Sequence, residues 1–192
     1  TYKLEEPFFV IATENPVENQ GIFPLPEAQL DRFLLKEKLN YPNMEEELTI
    51  LNRIENNVFD NSKSVVQLDD VVFLQKLVKR VYMDDSIKKY IIAIINATRY
   101  PRNFIAPELA QYVTMGASTR GAIALMEVSK ARAIMCGRNY VTPDDVKALI
   151  YSVLRHRIAE IARSGLCFKR LRSFEPETPF SSRAVIYDRG VE

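Results

Sequence analysis

Residues 8–33 read FFVIATENPVENQGIFPLPEAQLDRF. The first part of this stretch, residues 8–12, is apolar, aromatic and partly β-branched, which predicts a buried strand. Pro16 fixes its own φ and keeps Asn15 out of the helical region, so the strand must end there. An asparagine at the carboxyl end of a buried strand lies where open α/β sheets bind ligands.

The second part of the stretch predicts a short helix and another strand. Pro24 and Pro26 mark a loop, and Pro26 suits the first position of a helix. Residues 27–32 are long enough for about two helical turns, with Arg32 at the end. The apolar residues that follow begin a strand over 33–39 with a charged, exposed end.

A second helix is predicted over residues 44–57, where carboxylates in the first turn favour the helix dipole. Its apolar positions repeat at helical spacing and predict a buried stripe. The members of that stripe are Leu48, Leu51 and Ile54, with Ile50 beside them. The polar stretch 56–63 has no apolar period and is the best candidate for a domain boundary.

Residues 69–158 have helical periodicity almost throughout and predict a bundle of about four helices. A long helix over 119–136 is rich in small residues, and Gly137 is a natural stop. Thr142 and Pro143 start the last helix, with threonine as the cap and proline in the first position. Residues 102–118 are predicted to be a connection with a turn of helix in its middle.

The composition describes ordinary globular material. Of 192 residues, 47% are hydrophobic and 27% charged, and 26 basic and 25 acidic residues leave a net charge of +1. Such a balance gives no bulk attraction to nucleic acid or anionic membranes. No apolar run approaches the ~20 residues of a spanning helix, and there is neither an initiating methionine nor a signal peptide. We therefore expect a cytoplasmic protein cut from something longer.

Four motifs in order carry a family resemblance: ATENP at 12–16, PLPEAQLDRF at 24–33, GASTR at 116–120 and GRNYVTPDDVKAL at 137–149. Together they span roughly residues 8–157, and the arrangement resembles the MoxR family of AAA+ ATPases. The resemblance implies a mainly α chain. A truncated α/β nucleotide-domain fragment with few strands, residues 1–60, would precede an all-α AAA+ lid bundle, residues 61–160. Residues 161–192 form a tail to which no role is assigned.

The resemblance also implies roles for three side chains. By its place in the ATENP motif, Asn15 resembles the catalytic sensor 1, a role in which a neutral amide orients water without neutralising the field of a metal ion. Arg32 resembles the catalytic arginine finger, whose guanidinium fork matches phosphate oxygens. Arg120 resembles sensor 2, which contacts the nucleotide; its charge at a helix N-terminus is unfavourable unless an anion lies there. Thr119 stands where the family pattern usually has proline.

Each of these residues has a structural alternative. Asn15 could simply form a turn with its own backbone before the proline. Arg32 could be a surface cation paired with Asp31 or Glu27. Arg120 could be a solvated cation whose charge is screened by Glu127 or another neighbour.

The sequence lacks the motifs that bind the phosphates and the magnesium ion of a nucleotide. There is no glycine-rich phosphate loop and no apolar strand that ends in an acidic pair for magnesium. The resemblance implies ATP and Mg²⁺ as cofactors, with their main binding residues outside this chain. The isolated chain is therefore predicted to bind ATP weakly or not at all. The two cysteines, Cys136 and Cys167, and the single histidine, His156, predict no metal site, and His156 is assigned a structural role.

The function implied by the resemblance is ATP hydrolysis coupled to chaperone-like remodelling or maturation of client proteins. The resemblance implies two kinds of partner: other copies of the protein in a hexameric ring, and a client that can carry a von Willebrand factor A domain. Membrane and nucleic-acid partners are not expected. Two alternatives stay open: a chelatase-type or nucleic-acid-remodelling subunit, and a non-catalytic helical adaptor in which Arg32 and Arg120 are only surface charges.

Overall fold

The computed structural model describes residues 7–14, 25–58, 62–160 and 183–189. The strands are β1 Phe9–Glu14, β2 Phe33–Leu39, β3 Val113–Met115, β4 Ala159–Glu160 and β5 Arg183–Arg189. The helices are α1 Glu27–Leu30, α2 Met44–Glu55, α3 Leu68–Lys79, α4 Asp85–Arg99, α5 Pro107–Ala110, α6 Thr119–Met135 and α7 Pro143–Leu154, with a 3-10 turn at Pro101–Asn103. The predicted mainly α fold with few strands is confirmed.

The larger sheet has β5 between β1 and β2, antiparallel to both, so β1 and β2 run parallel to each other. The prediction that β1 is buried is wrong for this chain, since Phe9 is 64% exposed and Ile11 55% exposed. The physical reason is that the helices of the described chain pack on β2 instead, where Leu34 and Leu35 contact their apolar core.

Helix α2 starts at the predicted residue, because the Asn43 side chain and the Glu46 side chain each accept a hydrogen bond from the other's backbone N–H. The prediction of a buried stripe on α2 is wrong: Leu48, Leu51 and Ile54 are 59%, 63% and 55% exposed. Periodicity shows which face of a helix is apolar, but a partner must still cover that face. None of the described elements buries this one.

The predicted bundle of about four helices is present: α4, α6 and α7 supply buried residues of the core, whereas α3 contacts α6 and has no buried residue of its own. The α4 isoleucines Ile87, Ile91 and Ile95 are buried, and Leu125 of α6 and Val153 of α7 have no exposed surface. Each such side chain stabilises the fold by about 1.5–3 kcal/mol through burial. Small residues on α6 let it approach its neighbours closely, in agreement with the sequence.

The connection before α6 contains the predicted turn of helix, α5, and a strand that was not predicted. That strand, β3, pairs with β4 in antiparallel register, with Val113 opposite Glu160. Gly116 then passes so close to α4 that a Cβ there would lie 2.4 Å from the Thr98 carbonyl oxygen. The next residue, Ala117, donates its N–H to the Thr98 hydroxyl at 3.0 Å. These contacts fix where α6 begins.

The turn between α6 and α7 is held by a partly buried ion pair, in which the Asp145 side chain is 2% exposed and the Arg138 side chain 25% exposed. Gly137 adopts a φ of 72°, which favours glycine. Arg138 donates two hydrogen bonds to the Asp145 carboxylate, at 2.6 and 2.8 Å. This guanidinium, together with the Thr142 N–H and hydroxyl, lowers the pKa of Asp145 to about 2. Thr142 and Pro143 start α7 as predicted.

Candidate functional site

The turn between α1 and β2 presents two adjacent side chains of opposite charge. Pro26 lies directly before α1 rather than at its first position as predicted, and the helix makes only one turn rather than the predicted two. Asp31 and Arg32 follow it in a turn, closed by hydrogen bonds from the Asp31 N–H to the Glu27 carbonyl at 2.9 Å and from the Arg32 N–H to the Gln29 carbonyl at 3.1 Å. The Asp31 side chain is only 15% exposed, whereas Arg32 is exposed.

The N-terminus of α6 contacts this turn through Ser118. Its hydroxyl oxygen accepts a hydrogen bond from the Arg120 N–H at 3.1 Å and so caps the helix. The same hydroxyl donates to Oδ2 of Asp31 at 2.8 Å. The Arg120 guanidinium lies 3.4 Å from that oxygen and remains 61% exposed. A carboxylate therefore lies at the N-terminus of α6, where the helix dipole favours negative charge.

Arg157, just beyond the end of α7, holds the other side of the turn. Its side chain is 2% exposed, and Nε donates to Oδ1 of Asp31 at 3.2 Å. The rest of the guanidinium donates to the carbonyl oxygens of Asp31, Phe33, Leu34 and Val153. A buried arginine requires such partners, because an unpaired buried charge is strongly destabilising.

His156 reinforces this attachment of α7 to β2. Its Nε2 lies 3.0 Å from the Phe33 carbonyl oxygen, so Nε2 carries the proton and donates. Its Nδ1 is buried and has no hydrogen-bond partner among the residues that the structure describes. Burial, and next the positive charge of Arg157, lower the pKa of His156 to about 4. The neutral ring is therefore a structural element, as the sequence predicted.

The structure brings two of the three predicted site residues to one place. Arg120 contacts Asp31, the chain neighbour of Arg32. Asn15 lies outside the described residues; β1 ends at Glu14, directly before it. The alternative that Arg32 pairs with Asp31 or Glu27 is not what the structure shows, since Asp31 pairs with Arg120 and Arg157 instead. Within the described part of the chain, the Arg32 side chain has no ion pair.

Sequence reasoning missed three residues of this cluster. Ser118 was recognisable, because a serine directly before a helix is a typical cap. Asp31 was considered only as a partner for its neighbour. Nothing in the sequence distinguished Arg157 from the solvated arginines, because its burial depends on where α7 meets β2.

The comparisons with known proteins agree with the motifs. Residues 1–35 match the model of the ATPase family associated with various cellular activities (AAA), and residues 106–166 match the AAA lid domain. The uncharacterised protein YeaC of Bacillus subtilis is 44% identical over 159 residues, which are 82% of this chain and 47% of YeaC. Chaperone MoxR1 of Mycobacterium tuberculosis is 35% identical over 82% of this chain and 42% of its own.

A solved structure of a candidate ATPase from Cytophaga hutchinsonii superposes with a TM-score of 0.80. It is 40% identical, over 88% of this chain and 53% of that protein. The chain belongs to the MoxR family of AAA+ ATPases. It spans about half the length of the relatives it matches, 47% of YeaC and 42% of MoxR1.

The cluster around Asp31 joins the two matched parts of this MoxR-family chain. Arg32 and Asp31 lie in the part that matches the ATPase model, and Arg120 and Arg157 lie in the lid. Among the residues with described positions, no group of histidines, cysteines and acids could hold a metal ion. In the same residues, no helix has both the length and the apolar surface needed to cross a bilayer.

Proposed function

We propose that this chain supplies the sensing residues and the lid of a MoxR-type ATPase that couples ATP hydrolysis to chaperone-like remodelling of client proteins. The observation that carries the proposal is the exposed Arg32, which has no ion-pair partner in the described chain and is held on a turn fixed by Arg157. A guanidinium held in this way is available to a phosphate on another subunit.

Arg120 is the complementary residue for the chain's own nucleotide. It is mostly exposed and lies at the start of a 17-residue helix, where backbone N–H groups also favour an anion. Its present contact with Asp31 is 3.4 Å long, which leaves the guanidinium able to donate to a phosphate oxygen instead. Asn15 would orient the attacking water, and ATP and Mg²⁺ would be held mainly by residues outside this chain.

A finger that acts in trans requires an oligomer, and we propose a hexameric ring. The relatives include a protein named as a chaperone, which supports client remodelling as the work done by that ring. A client with a von Willebrand factor A domain remains a prediction from the family resemblance.

The test uses the full-length ATPase with three single substitutions. Arg32→Ala should lower kcat by ~10³-fold or more at unchanged ring assembly, because a finger stabilises charge in the transition state. Arg120→Ala should raise the KM for ATP. Arg102→Ala, an exposed arginine on the 3-10 turn, is the matched control and should change neither. Unchanged turnover and oligomeric state in Arg32→Ala would favour a non-catalytic adaptor.

Mixed rings test the trans arrangement directly. Asn15→Ala and Arg32→Ala subunits should each be inactive alone. Mixed at equal amounts, they should regain activity at about one site in four, because a head-to-tail interface can pair an intact Asn15 with a neighbour's intact Arg32. Absence of any recovery would show that both residues serve the same subunit's nucleotide.

A further inference from the structure

Asp31 divides its two carboxylate oxygens between a buried contact and a surface contact. Oδ1 accepts from Arg157, whose side chain is 2% exposed. Oδ2 accepts from Ser118 and faces Arg120, whose side chain is 61% exposed. The two oxygens therefore contact different parts of the lid, the end of α7 and the beginning of α6.

The contact through Oδ1 attaches the α1–β2 turn firmly to α7. Arg157 binds both the side chain and the carbonyl oxygen of Asp31, and in addition the carbonyls of Phe33 and Leu34. Removing any of these acceptors would leave a buried charge underpaired, which is strongly unfavourable. The turn that carries Arg32 must therefore follow α7 when the lid changes orientation.

The contact through Oδ2 is exchangeable. Its distance to Arg120, 3.4 Å, is longer than the 2.7–2.9 Å typical of a charge-assisted hydrogen bond, and the arginine is exposed. A phosphate group carries more charge than one carboxylate and offers more acceptor oxygens, so it can draw Arg120 away. Asp31 would then keep Arg157 and Ser118 but lose one of its cationic partners.

We infer that Asp31 is a positioning residue that couples the contact between Arg120 and phosphate to the placement of Arg32, its chain neighbour. The inference rests on the proposed function, in which Arg120 contacts the subunit's own nucleotide and Arg32 contacts the adjacent one. Nucleotide bound in one subunit thereby changes the restraint on the finger that serves the next. Asp31 itself does not touch the nucleotide.

The experiment measures hydrogen exchange of backbone amides 27–33 in the full-length ATPase, with and without saturating ADP and Mg²⁺. In the wild type, nucleotide should change the exchange rate by about fivefold, the lower end of typical coupling between sites. Asp31→Asn should abolish this nucleotide response and lower kcat without raising the KM for ATP, because Arg120 loses a competing carboxylate and stays available to phosphate. The matched control Asp144→Asn, an exposed carboxylate on α7, should retain the full response.

A purely structural role for Asp31 would lower stability equally with and without nucleotide and leave the response of residues 27–33 intact, which would overturn the inference. Should Asp31→Asn fail to fold, Ser118→Ala tests the same coupling with the Arg157 pair intact: a reduced response supports it, and an unchanged one overturns it. Unchanged turnover in Arg32→Ala would instead contradict the proposed function. Loss of turnover there, together with a normal response in Asp31→Asn, would contradict the coupling alone.

Discussion

The stability of this chain should depend on pH through His156. In the folded state the pKa of this histidine is about 4, against an ordinary 6.5, because the ring is buried and next to Arg157. Lys36 also disfavours its charge, whereas the Phe33 carbonyl and Asp31 favour it. Protonation would place a proton on Nδ1, for which the described part of the chain offers no acceptor.

The lowered pKa of His156 determines in which direction the folding stability changes with pH. Below pH 6.5 His156 is protonated in the unfolded chain but stays neutral in the folded chain. Its contribution to stability is therefore complete above that pH and is lost as the pH falls toward 4. Between pH 7 and pH 5 the loss from this one group should be about 2 kcal/mol. The total loss of stability once the pH is below both pKa values should be about 3 kcal/mol, since each unit of pKa difference between 6.5 and about 4 corresponds to about 1.4 kcal/mol.

Urea denaturation of the 192-residue chain at pH 7 and pH 5 measures this loss. The variant His156→Gln is the comparison, because its amide nitrogen can still donate to the Phe33 carbonyl but does not titrate. Other groups that titrate in this range contribute equally to both proteins, so the difference between their pH responses isolates His156. Equal losses in the wild type and in His156→Gln would refute the assignment of a buried neutral ring.

Two further predictions concern the lid. Asp145→Asn should destabilise the chain by about 3 kcal/mol, because it leaves Arg138 without its buried partner. The control Asp144→Asn, at an 87% exposed carboxylate, should change stability by less than about 0.5 kcal/mol. Thermal denaturation of both variants at neutral pH measures the difference. Gly116→Ala should lower the free energy of unfolding by more than about 2 kcal/mol, since its Cβ would lie 2.4 Å from a backbone oxygen. In Gly137→Ala the Cβ meets open space, so the loss should be about 1 kcal/mol and come from the φ of 72° alone. A Gly116 variant as stable as the Gly137 variant would contradict the close approach of that segment to α4.

Much of the lid could be predicted from sequence because its signals are local. Asp84, Ser118 and Thr142 each cap the helix that follows, and Gly137 ends the turn after α6. The spacing of the α4 isoleucines identifies the face that is buried. These features involve residues within a few positions of one another, so the chain need not be folded to reveal them.

Burial on β1 and α2 could not be predicted in the same way. Both have apolar residues at the spacing of their element, but periodicity does not say whether a partner is present. Phe9 and Leu51 are 64% and 63% exposed in this chain. The apolar face of α2 is a real property of the sequence, and only the arrangement of the other elements decides whether it is covered.

The order of motifs along the sequence was sufficient to determine the family, the helical lid and the candidate roles of Asn15, Arg32 and Arg120. Only the tertiary structure showed that Asp31, the chain neighbour of Arg32, also contacts the start of the helix that carries Arg120. Its partners Ser118 and Arg157 lie 87 and 126 residues away along the chain, so no local pattern could reveal them. Local sequence patterns reveal the interactions that stabilise single turns and helix caps, because the residues involved are close together in the chain. A carboxylate shared between three distant side chains exists only once packing of α7 on β2 has brought them within hydrogen-bond distance.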